Sequence, residues 1–117
     1  MRWGVVGALG NRSAAAPGHN VPVPSYRVTM TVGLLRPSVD PADLLPAAAA
    51  AAGERTTVEA KDVGLVRGQA RITVRFTAAD DGEAHLVGAA VHERADELAE
   101  VGAPVLTLRV GGRWLPV

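Results

Sequence analysis

Proton transfer or metal ligation in this chain would fall first to its three histidines, His19, His85 and His92. His85 and His92 stand seven residues apart in a segment of helical period, so they share one side of a helix but lie two turns apart, about 10 Å by helical rise. A single metal ion would need a pair four residues apart. Solvated or helix-edge histidines are the plain reading. The sharper one is a general base, with His92 ahead of His85 because its helix is placed to line a dimer cleft.

Other catalytic devices are thinly supplied. Ser13, Ser25 and Ser38 have no G-x-S-x-G elbow and no identifiable base partner. Glu93, Glu97 and Glu100 share part of a helix surface, but one helix offers no convergent cage for a hard cation. The chain has no cysteine, which excludes disulfides, thiolate metal sites and cysteine nucleophiles. The glycines between Gly4 and Gly10 have the wrong spacing for a dinucleotide fingerprint, and no strand precedes them. No cofactor and no metal are expected.

The residues with the strongest pattern are arginines and threonines. Residues 26 to 34 alternate strictly, with Tyr26, Val28, Met30, Val32 and Leu34 on one side of a strand and Arg27, Thr29 and Thr31 on the other. Residues 70 to 78 repeat the pattern, with Ile72, Val74 and Phe76 against Arg71, Thr73 and Arg75. If the two strands are neighbours, Arg27, Thr29, Thr31, Arg71, Thr73 and Arg75 form one polar field, extended by Thr107 and Arg109 from a later strand. RNA-recognition domains use such a face, but they stack bases on aromatic residues in the two central strands. Here those positions are Thr and Arg, so phosphate contacts are the nucleic-acid chemistry left, and nucleic acid is not the preferred partner.

The elements that must hold this field can be placed from the sequence. Arg36 to Pro41 is a turn, and a helix follows over roughly 41 to 52, capped by Asp40 or Asp43, irregular around Pro46 and ended by Gly53 in a left-handed conformation. Thr56 to Val66 is a strand whose alternation slips, which a bulge near Lys61 and Asp62 would reconcile. Arg67 and Gly68 make a tight turn into the third strand. Asp80 and Glu83 open a helix from about 81 to 100 that buries Ala84, Val87, Val91, Ala95 and Leu98 and stops at Gly102. Pro104 to Val110 is a strand, and Gly111-Gly112 turns the chain back through Arg113, Trp114 and Leu115.

This order is β-α-β-β-α-β with a short C-terminal ribbon. It resembles the ferredoxin-like two-layer α+β sandwich, with both helices on one face of an antiparallel sheet. The resemblance covers about residues 25 to 110 and carries no functional residues. Residues 25 to 117 are expected to form one domain. Residues 1 to 24, rich in Pro and Gly, are expected to be a flexible tail, with a weak imitation of a signal peptide or a mis-assigned start as other readings.

Twelve basic and twelve acidic residues cancel, so the global signature of nucleic-acid or membrane-surface binding is missing. Seven of the acids (Asp80, Asp81, Glu83, Glu93, Asp96, Glu97, Glu100) fall between residues 80 and 100 with Arg94 alone, giving a dipole whose plain reading is a solvated helix face. Only Trp3, Tyr26, Phe76 and Trp114 are aromatic, which forecasts a small aliphatic core and makes self-association a natural supplement. The expected function is a non-catalytic, homodimeric, cytoplasmic module binding a small ligand or a protein through the Arg/Thr face. A cofactor-independent enzyme of the dimeric α+β barrel type is the alternative, and weak nucleic-acid binding is the third reading.

Overall fold

A computed structural model describes residues 23–117; Ser13, His19, Trp3 and nearly all of the expected tail lie outside the described residues. The chain order is β1 (Ser25–Leu35), α1 (Pro41–Gly53), β2 (Val58–Val66), β3 (Gln69–Thr77), α2 (Asp81–Leu98), β4 (Ala99–Val101), β5 (Val105–Val110) and β6 (Arg113–Pro116). The fold is α+β: one six-stranded sheet, antiparallel at every pairing, with two helices. Strands lie in the order β2-β3-β1-β5-β6, and β4 pairs with the far end of β1. The sheet therefore carries two strands, β4 and β6, beyond the four central to the expected order.

Alternation in β1 and β3 sets the layers. Tyr26 pairs with Phe76, Val28 with Val74 and Met30 with Ile72, and all six are at most 2% exposed. Paired residues on antiparallel strands project to the same face, so one side of the two central strands is wholly apolar. Against it α2 packs Ala84, Val87, Val91 and Ala95, and α1 packs Leu44, Ala48, Ala49 and Ala52. Among the described residues no polar or charged residue is buried.

Helix α1 starts at Asp40, whose carboxylate accepts from the Ala42 N–H at 2.9 Å, with Pro41 in the first turn where a missing N–H costs nothing. Gly53 lies inside the helix without a positive φ, and Glu54 follows it in the right-handed region, so the expected left-handed glycine cap is not formed. Helix α2 starts as its sequence dictates: Asp80 accepts from the Glu83 N–H at 2.8 Å, and Glu83 reaches back to the Ala79 N–H at 2.6 Å. It ends at Leu98, because residues 99 to 101 leave the helix to pair with β1. Pro104, which has no N–H to give a ladder, falls in the gap between β4 and β5.

Two register shifts alter the sequence reading. Between Val32 and Leu35 the pairing of β1 with β4 slips, so Leu35 packs on the core while Leu34, expected to be inside, is 74% exposed. In β2 the shift falls between Val58 and Ala60, earlier than Lys61 and Asp62. It brings Val63 and Leu65 opposite Ile72 and Ala70 on the helix side of the sheet, yet they stay 59% and 75% exposed because neither helix covers that end of the hairpin. Arg67 and Gly68 both take positive φ, 54° and 78°, the geometry of a two-residue hairpin turn whose twist matches its strands.

Candidate functional site

The face opposite the helices is built row by row. Arg27 stands directly opposite Arg75, Thr29 opposite Thr73 and Thr31 opposite Arg71, while Thr107 flanks Arg27 from β5. The Thr29 and Thr73 hydroxyls share a hydrogen bond of 3.1 Å. Arg75 Nε donates to Glu59 Oε1 at 3.0 Å, and Ser25 Oγ donates to the same oxygen at 2.7 Å. Glu59 is the residue that the β2 bulge leaves over, which is how a strand edge supplies this carboxylate.

Trp114 joins this face from β6. The hairpin register sets Arg109 opposite Trp114, and the indole lies 4.0 Å from the Arg27 guanidinium carbon, 5.4 Å from that of Arg75 and 5.9 Å from that of Arg109. Guanidinium over an indole face at such a distance is a cation-π contact that also pins a flexible side chain. Arg109 Nε donates to the Gly111 carbonyl at 3.1 Å. Beside the Arg27 and Arg75 pair runs a trough of about 250 Å³ lined by both arginines, Thr29, Thr73, Ala60, Lys61 and Asp62.

The structure thus draws Arg27, Thr29, Thr73 and Arg75 into one site and ties Arg109 to it through Trp114. Thr31 and Arg71 stand one row beyond. There Thr31 Oγ1 crowds the spot where a Cβ on Gly102 would sit, and Arg71 faces Gly64. Reading the sequence for aromatics in the two central strands missed Trp114. A signal was present: a two-residue Gly111-Gly112 turn forces Val110 opposite Arg113 and Arg109 opposite Trp114, on the same face as Arg27.

The two histidines have separate surroundings. His92 Nε2 lies 3.1 Å from the Gly102 carbonyl oxygen, a contact that joins α2 to the segment between β4 and β5. His85 lines an apolar cleft of about 220 Å³ between α2 and β5, with Val28, Gly88, Pro104, Leu106 and Val117 among its walls and no Asp or Glu side chain. Among the described residues no three His, Asp or Glu side chains converge on a metal position. Glu97 spends its charge on Arg94 at 2.6 Å, and Asp96 pairs with Arg36 at 3.2 Å, as exposed ion pairs of small energetic worth.

Tyr26 has a displaced titration. Burial, then the hydrogen bond it donates to Asp81 Oδ1 at 2.7 Å and the charge of that carboxylate, with Asp80 and Glu83 adding, push its phenol from 10.0 up to about 12. The folded state therefore holds this proton more tightly than the unfolded chain. Stability is fully present below pH 10 and falls as pH rises through 12. Asp81 is exposed, so solvent screens the effect to about 1–2 kcal/mol. Urea titrations between pH 8 and 12 are expected to show that loss in the wild type and to lack it in Tyr26→Phe.

No protein-family model, no curated protein and no solved structure matches this chain. Among the described residues no helix is long and apolar enough to cross a membrane.

Proposed function

We propose that this chain is a non-catalytic, cytoplasmic module of ferredoxin-like type that works as a homodimer and takes a small ligand or a protein on the polar face of its sheet. In the finer fold assignment β2-β3-β1-β5 is the four-stranded split βαβ sheet, residues 25 to 117 are the domain, and β4 and β6 are additions to it. One observation carries the reading. The sheet face opposite the helices is covered by no element among the described residues; its row of Thr29 and Thr73 is small, and Thr107 and Ala60 flank the row of Arg27 and Arg75 beside it, so a second sheet can approach closely between the arginine stems. Arg27 and Arg75 on one side of the threonine pair and Arg71 on the other would bury their stems in a dimer and carry their guanidinium groups toward its rim. Thr29 and Arg27 are only half-buried in the single chain.

Sedimentation equilibrium tests the dimer. The wild type is expected to be a symmetric dimer at concentrations on the order of 10 µM, and the double variant Thr29→Glu with Thr73→Glu is expected to dissociate it by placing unpaired charge between the sheets. A wild-type monomer sinks the dimer. An undisturbed double-variant dimer moves the contact elsewhere, with pairing along the β6 edge near Trp114 as the remaining mode.

The second reading, a small cofactor-independent enzyme, is favoured by His85 beside its apolar cleft. It ranks behind because that cleft brings the imidazole no Asp or Glu side chain, and because His92, the histidine preferred from sequence, is engaged by the Gly102 carbonyl.

A further inference from the structure

We propose that the trough beside Arg27 and Arg75 binds the phosphate group of a small phosphate monoester. This rests on the polar sheet face being the binding surface, and it does not require the dimer. Like charges directly opposite on neighbouring strands repel, and Arg27 faces Arg75 in the middle of the sheet with a carboxylate, Glu59, supplied only to Arg75. Among the described residues Arg27 forms no ion pair, and its guanidinium is held over the Trp114 ring instead.

Charge counting gives the ligand class. Three guanidinium groups gather round Trp114 against the carboxylates of Glu59 and of Asp62, which stands opposite Thr73 on the same face, while Lys61, opposite Val74, belongs to the other face; the site keeps a net positive charge. A phosphate monoester carries about 1.5 to 2 negative charges near neutral pH. Arginine forks match phosphate oxygens in pairs, and Arg27 is already pinned in place, so less side-chain freedom is lost on binding. The threonine pair supplies a further donor. Two hydroxyls bring two protons, their mutual bond uses one, and the other is left to donate into the trough that both residues line.

Isothermal titration calorimetry of the full chain with phenyl phosphate, inorganic phosphate and oligothymidylate tests this, together with the emission of Trp114 in a Trp3→Phe background. Saturable binding of phenyl phosphate with a change in Trp114 emission is expected, weakened about tenfold or more by Arg27→Gln and by Arg75→Gln and a few-fold by Thr73→Val. All three substitutions lie on an uncovered face, and urea titration identifies any variant that has lost its fold, leaving the others to be read. Absence of saturable heat at concentrations on the order of 10 mM phenyl phosphate overturns the site. So does binding that both arginine variants retain in full, and so does oligothymidylate binding where phenyl phosphate gives none, which would assign the face to nucleic acid. A monomer that binds phenyl phosphate as described removes the dimer and keeps the site; a dimer that does not bind it keeps the dimer and removes the site.

Discussion

Phe76→Ala is expected to lower the unfolding free energy by about 3–5 kcal/mol, among the largest losses from any single described side chain. The ring is fully buried, and Phe76 links three strands through its pairings with Tyr26 on β1 and Val58 on β2. Its centroid lies 6.0 Å from that of Tyr26 in a near-parallel arrangement, so truncation removes an aromatic contact as well as apolar area. The surrounding core cannot close over the gap. The core it belongs to is Val, Ile, Met, Leu and Tyr on a fixed sheet and on helices already packed largely through alanines, and a residual cavity is what makes such substitutions costly. Urea titration of wild type and variant reads the loss as a fall in midpoint at unchanged slope. A loss below about 1 kcal/mol would mean that the site collapses, and with it the claim of a tightly packed aliphatic core.

The parts of this fold legible in the sequence are those governed by a single period. Strict alternation put Tyr26, Val28 and Met30 inside and Arg27, Thr29 and Thr31 on the other face, and the Asp80 and Glu83 spacing placed the start of α2. Period fails where pairing slips. Leu34 continues the parity of β1, but its exposure is decided by where β4 docks on Leu35, and β4 is three residues cut from what reads as the tail of a helix. The bulge in β2 was legible as a slip, whereas its position was fixed by Glu59 reaching Arg75 and Ser25, contacts between segments distant in sequence. Apolar type alone misleads at Val63 and Leu65, because the cover over a strand depends on helix length and placement.

The candidate site was half legible for the same reason. Its arginines and threonines announce themselves by alternation, since a two-residue period needs no partner to be seen. Trp114 does not, because only the pairing of β6 with β5 carries it to Arg27. The histidines show the reverse error. Seven-residue spacing puts His85 and His92 on one side of α2, yet one meets a backbone carbonyl and the other an apolar cleft, so a shared helix face did not mean a shared environment.

Ile72→Ala set beside Arg71→Ala decides which way the sheet faces. The two residues are neighbours on β3, so they have the same local backbone but opposite sides: Ile72 is 2% exposed and pairs with Met30 and Val63, while Arg71 projects from the uncovered face opposite Thr31 and Gly64. Removing the Ile72 side chain is expected to cost about 2–5 kcal/mol through lost burial and a cavity beneath the helices. Arg71 has no ion pair among the described residues and is exposed, so its loss is expected to stay within about 0.5 kcal/mol in the monomer. Equal losses in the two variants would mean that the Arg/Thr face is itself buried. In an associated protein that outcome has a recognisable form: the cost of Arg71→Ala would grow with protein concentration, because its contact would exist only between chains, whereas the cost of Ile72→Ala arises within one chain. Running both variants at two concentrations separates burial inside the fold from burial between folds.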